Sequence, residues 1–150
     1  MDSEHGPELE WSEWIPLVTA VETAPKTPGV YMARRRSDHT VVYVGMAGER
    51  RGAGLQGRLG IYASGKAIAS GLGEAIFDRA LADVAFLQER LDEVTAGQPR
   101  RAKDWGKLAL AWAELDVRWT TTADREAARA LERLVMRAMP QEPLWNRARS

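Results

Sequence analysis

Two short runs rich in β-branched and aromatic residues, Gly29-Val30-Tyr31-Met32-Ala33 and Thr40-Val41-Val42-Tyr43-Val44, lie on either side of the polar segment Ser37-Asp38-His39. Residues of this kind favour extended backbone, and the polar tip between them predicts a β-hairpin. Pro25 and Pro28 bracket the turn that leads into it. A hairpin this early, followed by long stretches of helical periodicity, restricts the chain to an α+β architecture.

The remainder of the chain can be read by period. From Trp11 to Val21 the apolar residues Trp11, Trp14, Ile15, Val18 and Val21 fall close to helical spacing, with Pro16 disturbing or starting a helix. Five glycines lie between Gly45 and Gly57, after which Leu55, Leu59 and Tyr62 predict a short helix that also carries Arg58. The series Ile76, Ala80, Val84, Leu87, Leu91 and Val94 predicts one long helix, stopped by Gly97 and Pro99. Trp105, Leu108 and Trp112 form a second apolar stripe. Leu115, Val117 and Trp119 then alternate with polar residues as a half-buried strand does. A final helix is expected from about Thr122 to Met139, capped by Thr122 or Asp124, burying Ala127, Leu131, Leu134, Val135 and Ala138. These readings give a β-hairpin, a short helix, further helical stretches over about residues 66–113, a third strand and a final helix. Residues 1–24 form an acidic segment expected to pack on a single domain spanning 25–150.

Composition narrows the chemistry. The chain has no cysteine, and its two histidines, His5 and His39, are far apart, so thiolate chemistry is excluded and any metal must be held mainly by oxygen. No apolar run approaches the roughly 20 residues that span a bilayer, and no secretory leader is evident, which points to a cytoplasmic protein with no membrane partner. The formal net charge is zero, but residues 1–24 hold six acids and no base. Residues 25–150 therefore carry 21 bases against 15 acids, mostly arginines, including Arg34-Arg35-Arg36, Arg50-Arg51 and Arg100-Arg101. Arginine forks suit phosphate, although solvated surface charge explains such runs equally well.

One ordered set of residues goes further. Gly29-Val30-Tyr31 is followed by Tyr43-Val44-Gly45, then by Leu55-x-x-Arg58 with Tyr62 four residues on, then by Glu132-x-x-Val135 and Asn146. In order and spacing this set, over about residues 25–147, resembles the GIY-YIG nuclease family, particularly the N-terminal nuclease domain of the bacterial excision-repair endonuclease and the GIY-YIG restriction enzymes. The resemblance implies a three-stranded antiparallel sheet flanked by helices and a metal-dependent endonuclease acting on nucleic acid, with DNA the expected substrate. It also implies one divalent cation, magnesium with manganese as a substitute, held by Glu132. By the same resemblance Arg58 contacts the scissile phosphate, and Tyr31, Tyr43 and Tyr62 border the attacking water, with Tyr43 the candidate base. Gly45, Arg58 and Asn146 belong to the substrate-binding surface, Asn146 as a structural hydrogen-bonding residue near the site. The chain departs from the family at Met46, where the repair enzymes carry a lysine, in its longer glycine-rich stretch, and in the inserted helices.

The assigned roles are physically coherent. Backbone hydrolysis needs charge stabilisation on the phosphoryl oxygens, a deprotonated water and assistance to the departing 3′ oxygen. Counted round its helix, Glu132 is expected about 100° from the centre of the apolar face, at the rim of the buried surface. Glu126 falls on the far side, where a carboxylate is solvated. The tryptophans at 105, 112 and 119 read as core residues ahead of base-stacking ones. The insertion could supply a DNA-contacting lobe, a homo-oligomer surface or added scaffold. Two other readings fit the same residues: a nucleic-acid-binding or regulatory protein without efficient turnover, and an interaction module whose acidic residues 1–22 cover the basic body.

Overall fold

The computed structural model describes residues 9–140 and 143–146. The hairpin forms from β2 (Gly29–Arg35) and β3 (Val41–Ala47), the second strand running three residues past the end that the composition suggested. Its register pairs Tyr31 with Gly45 and Ala33 with Tyr43, with an irregularity between Ala33 and Arg34. The third expected strand, β4 (Leu115–Thr121), pairs antiparallel with β2 on the other side.

The sheet has four strands where three were expected. β1 (Ile15–Pro16) pairs with β4, giving the antiparallel order β1-β4-β2-β3. The helix expected over Trp11–Val21 is therefore replaced by a two-residue strand and a 3-10 helix, Leu17–Glu22. Pro16, whose ring forbids a helix interior, stands at the junction. Upstream, the Ser12 N–H donates to the Trp119 carbonyl at 2.8 Å and the Ser12 hydroxyl accepts the Trp119 N–H at 3.0 Å. Arg118 lies over the rings of Trp11 and Trp14, and Arg34 over Trp14, so cation–π contacts fasten this segment to the sheet. Of the acids expected to screen the body, Asp2, Glu4 and Glu8 lie outside the described residues.

One face of the sheet buries Tyr31, Ala33, Val117 and Trp119 with Leu55, Leu59 and Tyr62 of α1 (Gly54–Ala63). The inserted helices α2 (Gly71–Ala80) and α4 (Ala102–Ala113) complete that core with Leu72, Ile76, Ala109 and Leu110. The single helix expected over Ile76–Val94 is two. The chain turns at Leu81–Asp83, where Asp83 caps α3 (Val84–Thr95) by accepting the Phe86 N–H at 2.9 Å. Beyond that turn the buried residues of α3 are Phe86 and Arg90, not the aliphatic series. Trp105 and Trp112 meet Phe86 edge-on, and Trp119 is in the core, so all three tryptophans have packing partners.

The opposite face, with Val30, Met32 and Val44, is covered by α5 (Arg125–Ala138). Asp124 is its cap, accepting the Ala127 N–H at 2.8 Å. The buried face of α5 consists of Ala128, Val135 and Met136, with Leu131 partly buried, while Ala127, Leu134 and Ala138 are exposed. The helix is thus turned by roughly 80° from the expected orientation. Leu131 and Val135 fit either setting, so periodicity alone could not choose; the side chains of Val30, Met32 and Val44 draw in Met136. Asp124→Ala should lower stability by about 1 kcal/mol through loss of the cap, read as a lower urea midpoint with unchanged slope.

Candidate active site

The site is assembled around the free edge of β3. Tyr31 and Tyr43 are diagonal neighbours on one face of the hairpin, their rings stacked 6.3 Å apart between centroids and 21° from parallel. Tyr31 is fully buried, and its hydroxyl shares a 2.7 Å hydrogen bond with that of Tyr62. Tyr62 and Arg58 are one turn apart on α1, and the Arg58 guanidinium lies 5.3 Å from the Tyr62 ring centre. The hydrogen-bonded pair of phenols therefore fixes the helix that carries the cation.

Gly45 opposes Tyr31 across the ladder, and a Cβ there would fall 2.5 Å from Tyr31 Cζ. Only glycine leaves space for the ring at this position. The same absence of a side chain opens the strand edge, so that Glu132 of α5, on the other side of the sheet, joins Tyr31, Tyr43 and Arg58 in one cavity of about 260 Å³. Met46 lines it too, as do Arg129 and Arg133, which flank Glu132 on α5. With α5 rotated as described, Glu132 sits within the packed face between Ala128 and Met136, closer to its centre than its sequence phase suggested. Glu126 is exposed, as expected.

Asn146 is not in the cavity lining and instead bonds to the neighbouring stretch of β3. Its amide donates to the Val44 carbonyl at 2.7 Å and accepts the Val44 N–H at 3.2 Å, and the Trp145 N–H donates to the Val42 carbonyl. The side chain thus stands in for a strand residue and covers the edge of β3 up to Val44, just short of Gly45. Its amide oxygen and nitrogen both bond to the backbone of Val44.

Burial governs the electrostatics. It pushes the Tyr31 phenol well above the usual tyrosine range, with Tyr62 and Tyr43 adding to the rise and Arg58 opposing it. Tyr43, partly open to the cavity, is raised by burial and by Tyr62, again against Arg58. Glu132 is raised by burial, and Arg129, Arg133 and Arg58 act the other way. Among the described residues, Arg58 Nε is buried without a hydrogen-bond partner, as are Arg34 Nε and Arg118 Nε. An unpaired buried donor on a cation costs stability unless an anion completes it.

Three contributors escaped the sequence reading. Arg129 and Arg133 belong to no motif, though they stand three residues before and one after Glu132 and line the same cavity. Gly71, the first residue of α2, abuts the rear of the site: a Cβ there would lie 2.7 Å from both Arg58 Nη2 and the Tyr62 hydroxyl. Its φ of 56° is also in the left-handed region that favours glycine. The next N–H, of Leu72, donates to the Tyr62 hydroxyl at 3.3 Å. The Gly71-x-Gly73 pattern was its only sequence signal.

Among the described residues no three His, Cys, Asp or Glu side chains cluster as a metal cage. Among the described residues, Glu132 is the one carboxylate lining the cavity. Such a donor set suits a hard, largely hydrated cation completed by substrate oxygens, as magnesium is commonly held, and suits neither zinc nor a high-affinity calcium site.

Comparison with known proteins finds no match to this chain, whether among family models, curated proteins or solved structures.

Two substitutions check this geometry. Gly45→Ala should cost about 1–3 kcal/mol by overpacking against Tyr31, seen as a lower thermal midpoint. Glu132→Gln should do the reverse in metal-free buffer. A carboxyl whose folded pKa is raised favours folding most below its unfolded value and loses that contribution as pH rises through the folded value. The ionised form is therefore a cost at pH 7, and the variant's thermal midpoint should exceed that of wild type there, with the gap closing near pH 4.

Proposed function

We propose that this protein is a metal-dependent endonuclease that hydrolyses the DNA backbone at a GIY-YIG-type site. The observation that carries the reading is the convergence of Tyr31, Tyr43, Arg58 and Glu132, from three separate parts of the chain, on one cavity lined by two further arginines. In this proposal the Arg58 guanidinium, whose buried Nε lacks a partner, receives the scissile phosphate and offsets charge on its oxygens. Arg129 and Arg133 hold the flanking phosphates. Glu132 is the carboxylate that would hold a divalent cation, which supplies charge neutralisation and assistance to the departing 3′ oxygen.

Tyr43 is the base candidate. It faces the cavity while Tyr31 is enclosed and bonded to Tyr62, which leaves Tyr31 and Tyr62 as positioning groups. Water attacks the phosphorus, its proton passes to the Tyr43 oxygen or to solvent ordered by it, and the bond to the 3′ oxygen breaks, leaving a 5′-phosphate.

The second reading, a nucleic-acid-binding or regulatory protein with little turnover, is favoured by one observation. Burial raises Tyr43, and Met46 provides no cation beside it to stabilise a phenolate. The two readings part in one assay. Supercoiled plasmid with magnesium or manganese should be nicked, chelator should stop the reaction, and Arg58→Ala and Glu132→Gln should each slow it by about 100-fold or more. Gel-shift binding at low salt without nicking, across duplex and single-stranded substrates, would establish the second reading instead. Nicking that survives both substitutions would overturn the site assignment.

A further inference from the structure

The aliphatic series that promised a buried stripe is mostly in solvent. On α3, Val84 is 80% exposed, Leu91 56%, Val94 52% and Leu87 38%. They lie at spacings of three, four and three residues, a seam of nearly three helical turns of the kind that coiled helices bury against a partner. The helix is anchored on its other side by Phe86, held between Trp105 and Trp112, and by Arg90, which lies over Phe86 and pairs with Glu93 at 3.0 Å. A helix with four aliphatic side chains on its outer side and two buried anchors is incomplete as a free surface.

The order of the seam indicates what covers it. Val-Leu-Leu-Val at 3-4-3 spacing reads the same in both directions about residue 89. Two copies of α3 laid antiparallel on a twofold axis therefore place Val84 against the partner's Val94 and Leu87 against the partner's Leu91, twice over. Isologous contact of this kind is what a twofold dimer requires. Leu81, 39% exposed just before the helix, falls opposite the partner's Gly97, where a Cβ would have no atom within 4 Å and a leucine has room to sit. The charges do not oppose the pairing. Gln88 and Thr95 border the seam on one side, and Glu89, Asp92 and Glu93 project away from it.

We propose that α3 is a homodimer interface in which two copies pair antiparallel through Val84, Leu87, Leu91 and Val94. The four side chains expose roughly 400 Å² per copy, and Leu81 with the adjoining helix surface brings the pair towards the lower limit of about 1,200 Å² for specific interfaces. The dimer is accordingly weak, with dissociation in the micromolar range. The inference does not depend on the proposed nuclease activity.

The test is sedimentation equilibrium of the full chain over a concentration series. The apparent mass should rise from 16.7 kDa towards twice that value. Leu87→Lys and Leu91→Glu, each at an exposed position, should retain the far-ultraviolet circular dichroism of wild type and remain monomeric alone. Mixed together they should dimerise, because the twofold arrangement sets the new lysine of one chain against the new glutamate of the other and leaves a Leu91–Leu87 contact intact. A wild type that stays monomeric at millimolar concentration overturns the proposal. So does association that both variants leave unchanged, or a mixture that stays monomeric.

Discussion

The buried hydrogen bond between the Tyr31 and Tyr62 hydroxyls is the interaction on which the rest of the site depends. It ties β2 to α1, and because the Tyr62 hydroxyl also receives the Leu72 N–H, it ties both to the start of α2. Arg58 is placed by this junction, one turn before Tyr62 and above its ring. Two uncharged phenols can be sunk this deeply because each satisfies the other. A charged group in either position would face the full desolvation penalty, which is why both the base candidate and the cation lie outward of this pair.

The other half of the cavity comes from the sheet edge. Among the described residues β3 has no strand partner beyond β2, and Trp145 and Asn146 bond to its backbone at Val42 and Val44. At Gly45 no side chain intervenes, and Glu132 from the opposite layer lines the same cavity as Tyr31 and Tyr43. The arrangement sets stability against binding. Glu132 is half-buried with its pKa raised, and Arg58 keeps an unpaired buried donor. Both costs would be relieved by the ligands of the proposed reaction, a cation for one and a phosphate oxygen for the other.

Hairpin, third strand, first helix and last helix were legible because each carries its own local signal: β-branched runs, alternation, glycine punctuation, an Asp cap. The short β1 was not. Two residues give no period, and what makes Ile15 and Pro16 a strand is the unpaired edge of β4, a hundred residues away in sequence. The inserted helices show the opposite failure. Their period was real, but the Asp83 cap interrupts it, and Phe86, inserted between two tryptophans, decides which side of α3 turns inward.

By itself the sequence determined the candidate residues and their order, since tripeptides, Leu-x-x-Arg spacing and a late glutamate are properties of the chain. It also determined that Tyr31 and Tyr43 share a face once the hairpin register is known, because side chains alternate with period two. Only the tertiary structure decided that Glu132 belongs beside them. Leu131 and Val135 are compatible with two rotations of α5, and the choice between them is made by the shapes of Val30, Met32 and Val44. The same packing brought Arg129, Arg133 and Gly71 to the site and left the aliphatic stripe of α3 uncovered. A helical period says that a face is apolar; which surface meets that face depends on long-range packing that no local pattern encodes.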